Sequence, residues 1–66
     1  MIREEKNNWI VNIENTAAYI ASELGEEAVA STLYKYGVSS VAQIASSDLA
    51  GVFSELYAIE ADLRIR

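Results

Sequence analysis

The sequence predicts an all-α fold. It is a small single-domain helical bundle, with two long helices at about 3–24 and 48–64 and, between them, a short helix at 26–36 and a helical turn at 41–45. Apolar residues recur at three- and four-residue intervals through both long segments, which is the spacing of one helix face. Alternation of period two is not sustained for five residues with β-branched enrichment, so strands are not expected. Residues 1–66 form one domain, near the lower size limit for a single core.

The first long helix, at about 3–24, carries one apolar stripe that we expect to face the core. Gly25 follows the helix directly, and glycine adopts the positive φ of a helix C-terminal cap at little cost. We therefore predict that this helix ends at Gly25. The apolar positions of the stripe are Trp9, Ile10, Ile13, Ala17, Ile20 and Leu24.

The short helix, at 26–36, begins with Glu26 and Glu27, whose charges favour the partially positive N-terminus of a helix. Gly37 is predicted to end this helix as Gly25 ends the first. The turn at 41–45 follows Ser40, and the Ser40 to Gln43 spacing is that of a capping box, in which the two side chains each bond a backbone N–H of the first helical turn.

The last helix, at about 48–64, is predicted to pair with the first. Its apolar positions keep the helical period, and Arg64 and Arg66 suit the partially negative C-terminal end. Gly51 costs a helix about 1 kcal/mol relative to alanine, which indicates close approach of a neighbour, either the first helix or a second copy of the chain. Trp9 and Phe53 lie on the two stripes and are expected in the core. The apolar positions of this helix are Leu49, Val52, Phe53, Leu56, Ile59 and Leu63.

The charge is concentrated in the middle of the chain. The formal net charge is −5, but between residues 7 and 63 one basic residue, Lys35, stands against eight acidic ones, which leaves a net charge of −7. An acidic surface of this kind repels phosphate backbones and anionic membranes. We therefore expect no direct binding to nucleic acid or membranes, and a partner that offers a basic surface.

The composition argues against an enzyme. The chain has no His and no Cys, which removes the usual general base, thiol nucleophiles and the common zinc sites. Glu60 and Asp62 point about 200° apart on a helix and cannot converge on one substrate. We expect no catalytic residues, no cofactor and no metal. Residues 1–6 lack the apolar segment of a signal peptide, so a cytoplasmic location is expected.

Carboxylates on the helix faces are the candidate partner-binding groups. Asp48, Glu55 and Asp62 recur every seven residues, about 10.5 Å apart along the last helix, and neither Asp48 nor Glu55 has a basic residue four positions away to pair with it. On the first helix, Tyr19 and Glu23 share one flank and Glu14 lies on another. These acids can also be an ordinary solvated surface. The candidate partner-binding residues are Asp48, Glu55, Asp62, Glu14, Glu23 and Tyr19.

Over nearly its whole length, the chain resembles small uncharacterised proteins carried on bacterial mobile elements. In size, helicity and acidity it is also similar to anti-CRISPR proteins, among them the type I-C inhibitors. The resemblance implies a phage or mobile-element inhibitor that binds a Cas protein complex and blocks DNA recognition as a DNA mimic. The runs that carry the first likeness are Trp9-Ile10, Ile13-Glu14, Ala17, Ile20-Ala21, Glu23, Gly25, Lys35-Tyr36-Gly37, Val52-Phe53-Ser54-Glu55-Leu56 and Ile59-Glu60-Ala61-Asp62-Leu63-Arg64.

A function of another class is also open. Val11 and Ala18 lie on the outer side of the first helix, and Ala50 and Ala61 belong to a line of small residues on the last one. These positions could join two copies of the chain in a small self-associating adaptor or antitoxin-like module. We expect a monomer in preference to a homodimer.

Overall fold

Three α-helices form the fold of residues 2–65, which are the residues described by the computed structural model. Helix α1 spans Arg3–Leu24, α2 spans Glu26–Lys35 and α3 spans Leu49–Arg64. Short 3₁₀ helices at Val41–Gln43 and Ser46–Asp48 lie between α2 and α3, and this part of the chain contains no strand. The predicted all-α bundle is therefore confirmed. Arg66, expected beside the C-terminal end of α3, lies outside the described residues.

A single residue, Gly25, joins α1 to α2. Its φ of 91° lies in the region that residues other than glycine rarely adopt. Its N–H donates to the carbonyl oxygen of Ala21 at 2.9 Å. The chain thus reverses sharply, and α2 returns along α1 with Glu26 and Glu27 in its first turn. The predicted glycine cap is confirmed.

Helix α2 ends in a Schellman motif, one residue before the predicted end at 36. Gly37, with a φ of 74°, donates its N–H to Tyr34 O at 3.0 Å, and Val38 N–H donates to Leu33 O at 3.3 Å. The Val38 side chain packs against the core that contains Leu33, which is the apolar contact typical of this motif.

The helical turn after α2 is shorter than the predicted 41–45, and neither hydrogen bond of the predicted capping box forms. The Gln43 Oε1 atom accepts from the backbone N–H of Ser39 at 2.9 Å and from the Ser39 hydroxyl at 3.0 Å, one residue before the expected donor. The Ser40 side chain makes no capping hydrogen bond. A 3₁₀ turn of three residues has tighter geometry than the first turn of an α-helix, so the two halves of the box do not meet.

Helix α3 starts at Leu49, one residue after its predicted start. Asp48 belongs to the preceding 3₁₀ helix, where its N–H donates to Ala45 O at 2.8 Å, and its side chain does not cap α3.

Helices α1 and α3 form the main packed pair, as predicted, and they run parallel. The rings of Trp9 and Phe53 meet edge to face near the start of both helices, with centroids 5.7 Å apart. Near the other end, the Arg64 guanidinium carbon lies 4.3 Å from the centroid of the Tyr19 ring. The segment from α2 to Asp48 therefore returns the chain to the starting end of α1 before α3 begins.

The core lies where α1, α2 and α3 meet, and two aromatic residues predicted to be inside it are only half-buried. Trp9 and Phe53 pack against the edge of the core. Leu24, predicted on the buried stripe, is 52% exposed. Because the last turn of α3 lies beside Tyr19, α3 does not reach Leu24. The buried apolar residues are Ile13, Ile20, Leu33, Ile44, Leu49, Val52 and Leu56.

Gly51 has a neighbour that neither of the two sequence-based alternatives included. A Cβ atom at this position would lie 3.0 Å from the Tyr36 hydroxyl oxygen. The close approach within the chain comes from Tyr36 at the end of α2, and not from α1.

Candidate protein-binding surfaces

The carboxylate of Glu55 is held by two residues from the end of α2. Lys35 Nζ lies 2.9 Å from Glu55 Oε1, and the Tyr36 hydroxyl donates to Glu55 Oε2 at 2.6 Å. The hydrogen bond from Tyr36, followed by the one from Lys35, lowers the pKa of Glu55, and the same contact with Glu55 raises the pKa of Tyr36. Glu55 has no basic residue four positions away, as the sequence shows, but it is paired all the same, because its partner lies 20 residues earlier in the chain.

The other two members of the row differ in exposure. Asp48 is half-buried, and its charge contributes to the raised pKa of Tyr36. Asp62 is exposed near the end of α3. The row thus runs along the flank of α3 that faces the end of α2, and its central carboxylate already contacts Lys35.

Tyr19 lies under the guanidinium group of Arg64. Arg64 Nε donates to Glu60 Oε2 at 2.8 Å, and this hydrogen bond, followed by the negative charge of Glu60, raises the pKa of Arg64. The cation–π contact joins α3 to α1, and the ion pair within α3 holds the guanidinium group in place. Tyr19 is half-buried, so a partner would reach it beside the guanidinium group.

The carboxylates on the surface of α1 and α2 differ from those of α3. Glu14, Glu23, Glu26 and Glu27 are all exposed. Within residues 2–65, none of these four carboxylates has an ion pair or hydrogen bond to a basic side chain. These four glutamates are therefore available to an external cation. The sequence singled out Glu14 and Glu23; it explained Glu26 and Glu27 by the helix terminus alone.

A groove of about 400 Å³ lies between α1 and α2. Ala17 and Ala21 line it from α1, and Val29 and Leu33 line it from α2. One carboxylate belongs to each helix, Glu14 on α1 and Glu26 on α2. Sequence reasoning missed this groove because no local pattern shows which residues of α2 lie opposite which residues of α1.

A second hollow, of about 240 Å³, lies on the first turns of α1. Its lining consists of Glu5, Asn8, Trp9 and Asn12. Beside it, the Phe53 ring stacks on Tyr57, with centroids 5.5 Å apart and planes 23° apart. Tyr57 is 53% exposed.

The residues proposed for self-association are accessible on separate helices. Val11 is 53% exposed and Ala18 is exposed on α1, whereas Ala50 is exposed and Ala61 half-buried on α3. Gly51, which could have indicated close contact with a second copy, is explained by Tyr36.

Comparisons with protein-family models, with curated proteins and with solved structures found no match to this chain. Among residues 2–65, no helix combines the length and the apolar character that crossing a membrane requires. The same residues contain no group of three or more acidic side chains placed to hold a metal ion.

Proposed function

We propose that this chain is a non-enzymatic inhibitor that covers a basic, DNA-binding surface of another protein by presenting carboxylates in place of phosphates. The observation that carries the proposal is the set of exposed glutamates on α1 and α2 that have no basic partner within residues 2–65. With the anti-CRISPR resemblance, the proposed target is a Cas effector complex in the cytoplasm, whose recognition of DNA the inhibitor blocks.

Electrostatics supplies the mechanism. The net charge of −7 between residues 7 and 63 attracts a basic surface over a distance of about one Debye length, roughly 8 Å at physiological salt. Steering of this kind speeds association and makes it sensitive to salt. On contact, carboxylates accept hydrogen bonds from the Lys and Arg side chains that otherwise bind phosphate oxygens.

The first experiment identifies the target. The tagged chain is used to capture proteins from cells that carry an active CRISPR-Cas system, and the captured proteins are read by mass spectrometry. We expect a Cas component, captured less well as salt rises and displaced by duplex DNA. Capture of no Cas component, or capture that DNA does not affect, would contradict the proposal.

Two variants with the same change in charge then compare the two acidic surfaces. One carries Glu14, Glu23, Glu26 and Glu27 as Gln; the other replaces Asp48 and Asp62 by Asn and Glu55 and Glu60 by Gln. We expect the first to weaken target binding at least tenfold and the second to weaken it less, because Glu55 and Glu60 already contact Lys35 and Arg64. If only the second variant lost target binding, the binding surface would be the row of carboxylates on α3 and not the glutamates of α1 and α2. Unchanged affinity in both would contradict the use of acidic groups.

Self-association is a second candidate function, favoured by the exposure of Val11 and Ala18 on the same side of α1. It requires a mass that rises with protein concentration in light scattering and that depends weakly on salt. A constant monomer mass would remove this candidate and leave the inhibitor proposal.

A further inference from the structure

The groove between α1 and α2 has the size and the lining of a small binding site. Its volume of about 400 Å³ lies near the lower end of the range for ligand pockets, roughly 300–1,000 Å³. Its apolar walls come from two different helices, with Ala17 and Ala21 facing Val29 and Leu33. The groove stays open because alanine side chains are too short to fill the space between the outer edges of the helices.

We propose that this groove binds a cationic amphipathic segment of the partner protein, with an aliphatic side chain between the alanines and Lys or Arg side chains on Glu14 and Glu26. Each helix contributes one of these carboxylates, and both are exposed. Neither has a basic partner within residues 2–65. The apolar lining would select the aliphatic side chain, and the two carboxylates would select the charge beside it.

Charge complementarity distinguishes this occupant from a second copy of the chain. A second copy has a formal charge of −5. Like charges placed together across an interface oppose association. An isologous pair would in addition bring each copy's Glu14 and Glu26 towards those of the other. A basic segment removes both penalties, so the groove fits a partner with cationic chemistry.

This inference rests on the proposed function, because it names the part of the acidic surface that recognises the basic partner. It also adds a requirement that the proposed function lacks. A DNA mimic needs only carboxylates, whereas the groove requires an aliphatic side chain next to the positive charges. The order of residues in a basic peptide therefore matters.

The test uses the full chain labelled with ¹⁵N and a synthetic helical peptide of Leu and Arg with both residue types on one face. The control peptide has the same composition in scrambled order. We expect the amphipathic peptide to shift the amide signals of Ala18, Ala21 and Ala30, and the scrambled peptide to bind about tenfold more weakly. Equal binding of the two peptides, or no binding of either at millimolar concentration, would overturn the groove proposal.

Adjacent residues provide matched variants. Glu26 lines the groove and Glu27 does not, although both are exposed in the first turn of α2. We expect Glu26→Gln to weaken peptide binding about 3- to 5-fold, as for a partly exposed charge pair, and Glu27→Gln to change it less than 2-fold. Ala30→Trp should obstruct the groove and weaken binding at least tenfold, whereas Ala58→Trp, on an exposed position of α3, should not.

The outcomes separate this inference from the proposed function. Signals shifted along Asp48, Glu55 and Asp62 would overturn the groove and leave an acidic inhibitor with another surface. Shifts in the groove, together with capture of no DNA-binding target from cells, would support the groove and contradict the inhibitor. An equal effect of the Glu26 and Glu27 variants would overturn the groove, because general charge alone would then explain the binding.

Discussion

The two acidic surfaces of this protein differ in what their carboxylates contact. On α3, Glu55 receives hydrogen bonds from Lys35 and Tyr36, and Glu60 receives one from Arg64. On α1 and α2, the exposed glutamates have no basic partner within the described residues. Two surfaces with similar formal charge therefore differ in whether their carboxylates already contact other side chains of the protein. On the α3 surface, Glu55 links the helix to the end of α2 and Glu60 holds the guanidinium group of Arg64, which lies over Tyr19 of α1, whereas the exposed glutamates of α1 and α2 are available to a partner.

We expect the largest effect on stability from a substitution in the core, which lies beneath both acidic surfaces. Leu56→Ala removes a fully buried side chain of α3, at a cost of about 2–5 kcal/mol in the free energy of unfolding. A domain of this size has a stability of roughly 3–10 kcal/mol, from about 0.05–0.15 kcal/mol per residue. Leu56→Ala should therefore lower the urea midpoint sharply, measured by far-UV circular dichroism.

The control for that variant is Val11→Ala, which shortens a half-exposed side chain and should have a much smaller effect. Trp9, at the contact between α1 and α3, provides a second signal through its fluorescence. Because both surfaces rest on one core, the two signals should change together. Loss of the Trp9 signal before the helical signal would mean that the α1–α2 corner folds without α3.

The next effect depends on pH and concerns only the α3 surface. The pKa of Glu55 is lowered by Tyr36 and Lys35, so the carboxylate stabilises the folded state above its unfolded pKa of about 4.3, and this stability is lost as the pH falls through the lower folded value. Glu55→Gln should therefore weaken the fold at pH 6 and flatten the fall in Tm between about pH 5 and pH 3. Glu14→Gln, on the groove side, should change neither.

The raised pKa of Tyr36 gives a pH dependence of stability with the opposite sign, because stability is lost as the pH rises. Its contribution is complete below the unfolded pKa of about 10 and is lost as the pH rises through the higher folded value. Tyr36→Phe should remove that alkaline loss. If the Tm of Glu55→Gln falls in acid as steeply as that of the unmodified chain, the hydrogen bonds to Glu55 do not stabilise the fold in solution.

Local sequence signals predicted the helices well because each signal acts within a few residues. The 3.6-residue apolar period placed α1 and α3, and the positive φ available to Gly25 and Gly37 placed the ends of α1 and α2. The boundaries that differ lie at Tyr36, Ile44 and Asp48. There the chain forms a Schellman motif and 3₁₀ turns, whose hydrogen bonds are set by packing as much as by residue type.

The candidate site was less predictable because it depends on pairs far apart in the sequence. A helix wheel places Glu55 in a row of carboxylates, but it does not show that Lys35 and Tyr36, 20 and 19 residues earlier, reach the same carboxylate. It likewise does not show that Glu14 and Glu26 lie beside one groove. The charged residues could be counted from the sequence. Which carboxylates are available to a partner depends on how α2 packs against its neighbours, and this was known only from the structure.

The smallest effect tests the contact that positions α2 on α3. Gly51→Ala should gain up to about 1 kcal/mol from helix propensity, but the new Cβ would lie 3.0 Å from the Tyr36 hydroxyl oxygen, which Glu55 holds in place. We therefore expect a net gain below the full amount. In a Tyr36→Phe background the hydroxyl is absent, and Gly51→Ala should gain more. A double-mutant cycle of urea midpoints measures the difference, and an equal gain in both backgrounds would mean that Tyr36 does not press on α3 at this point.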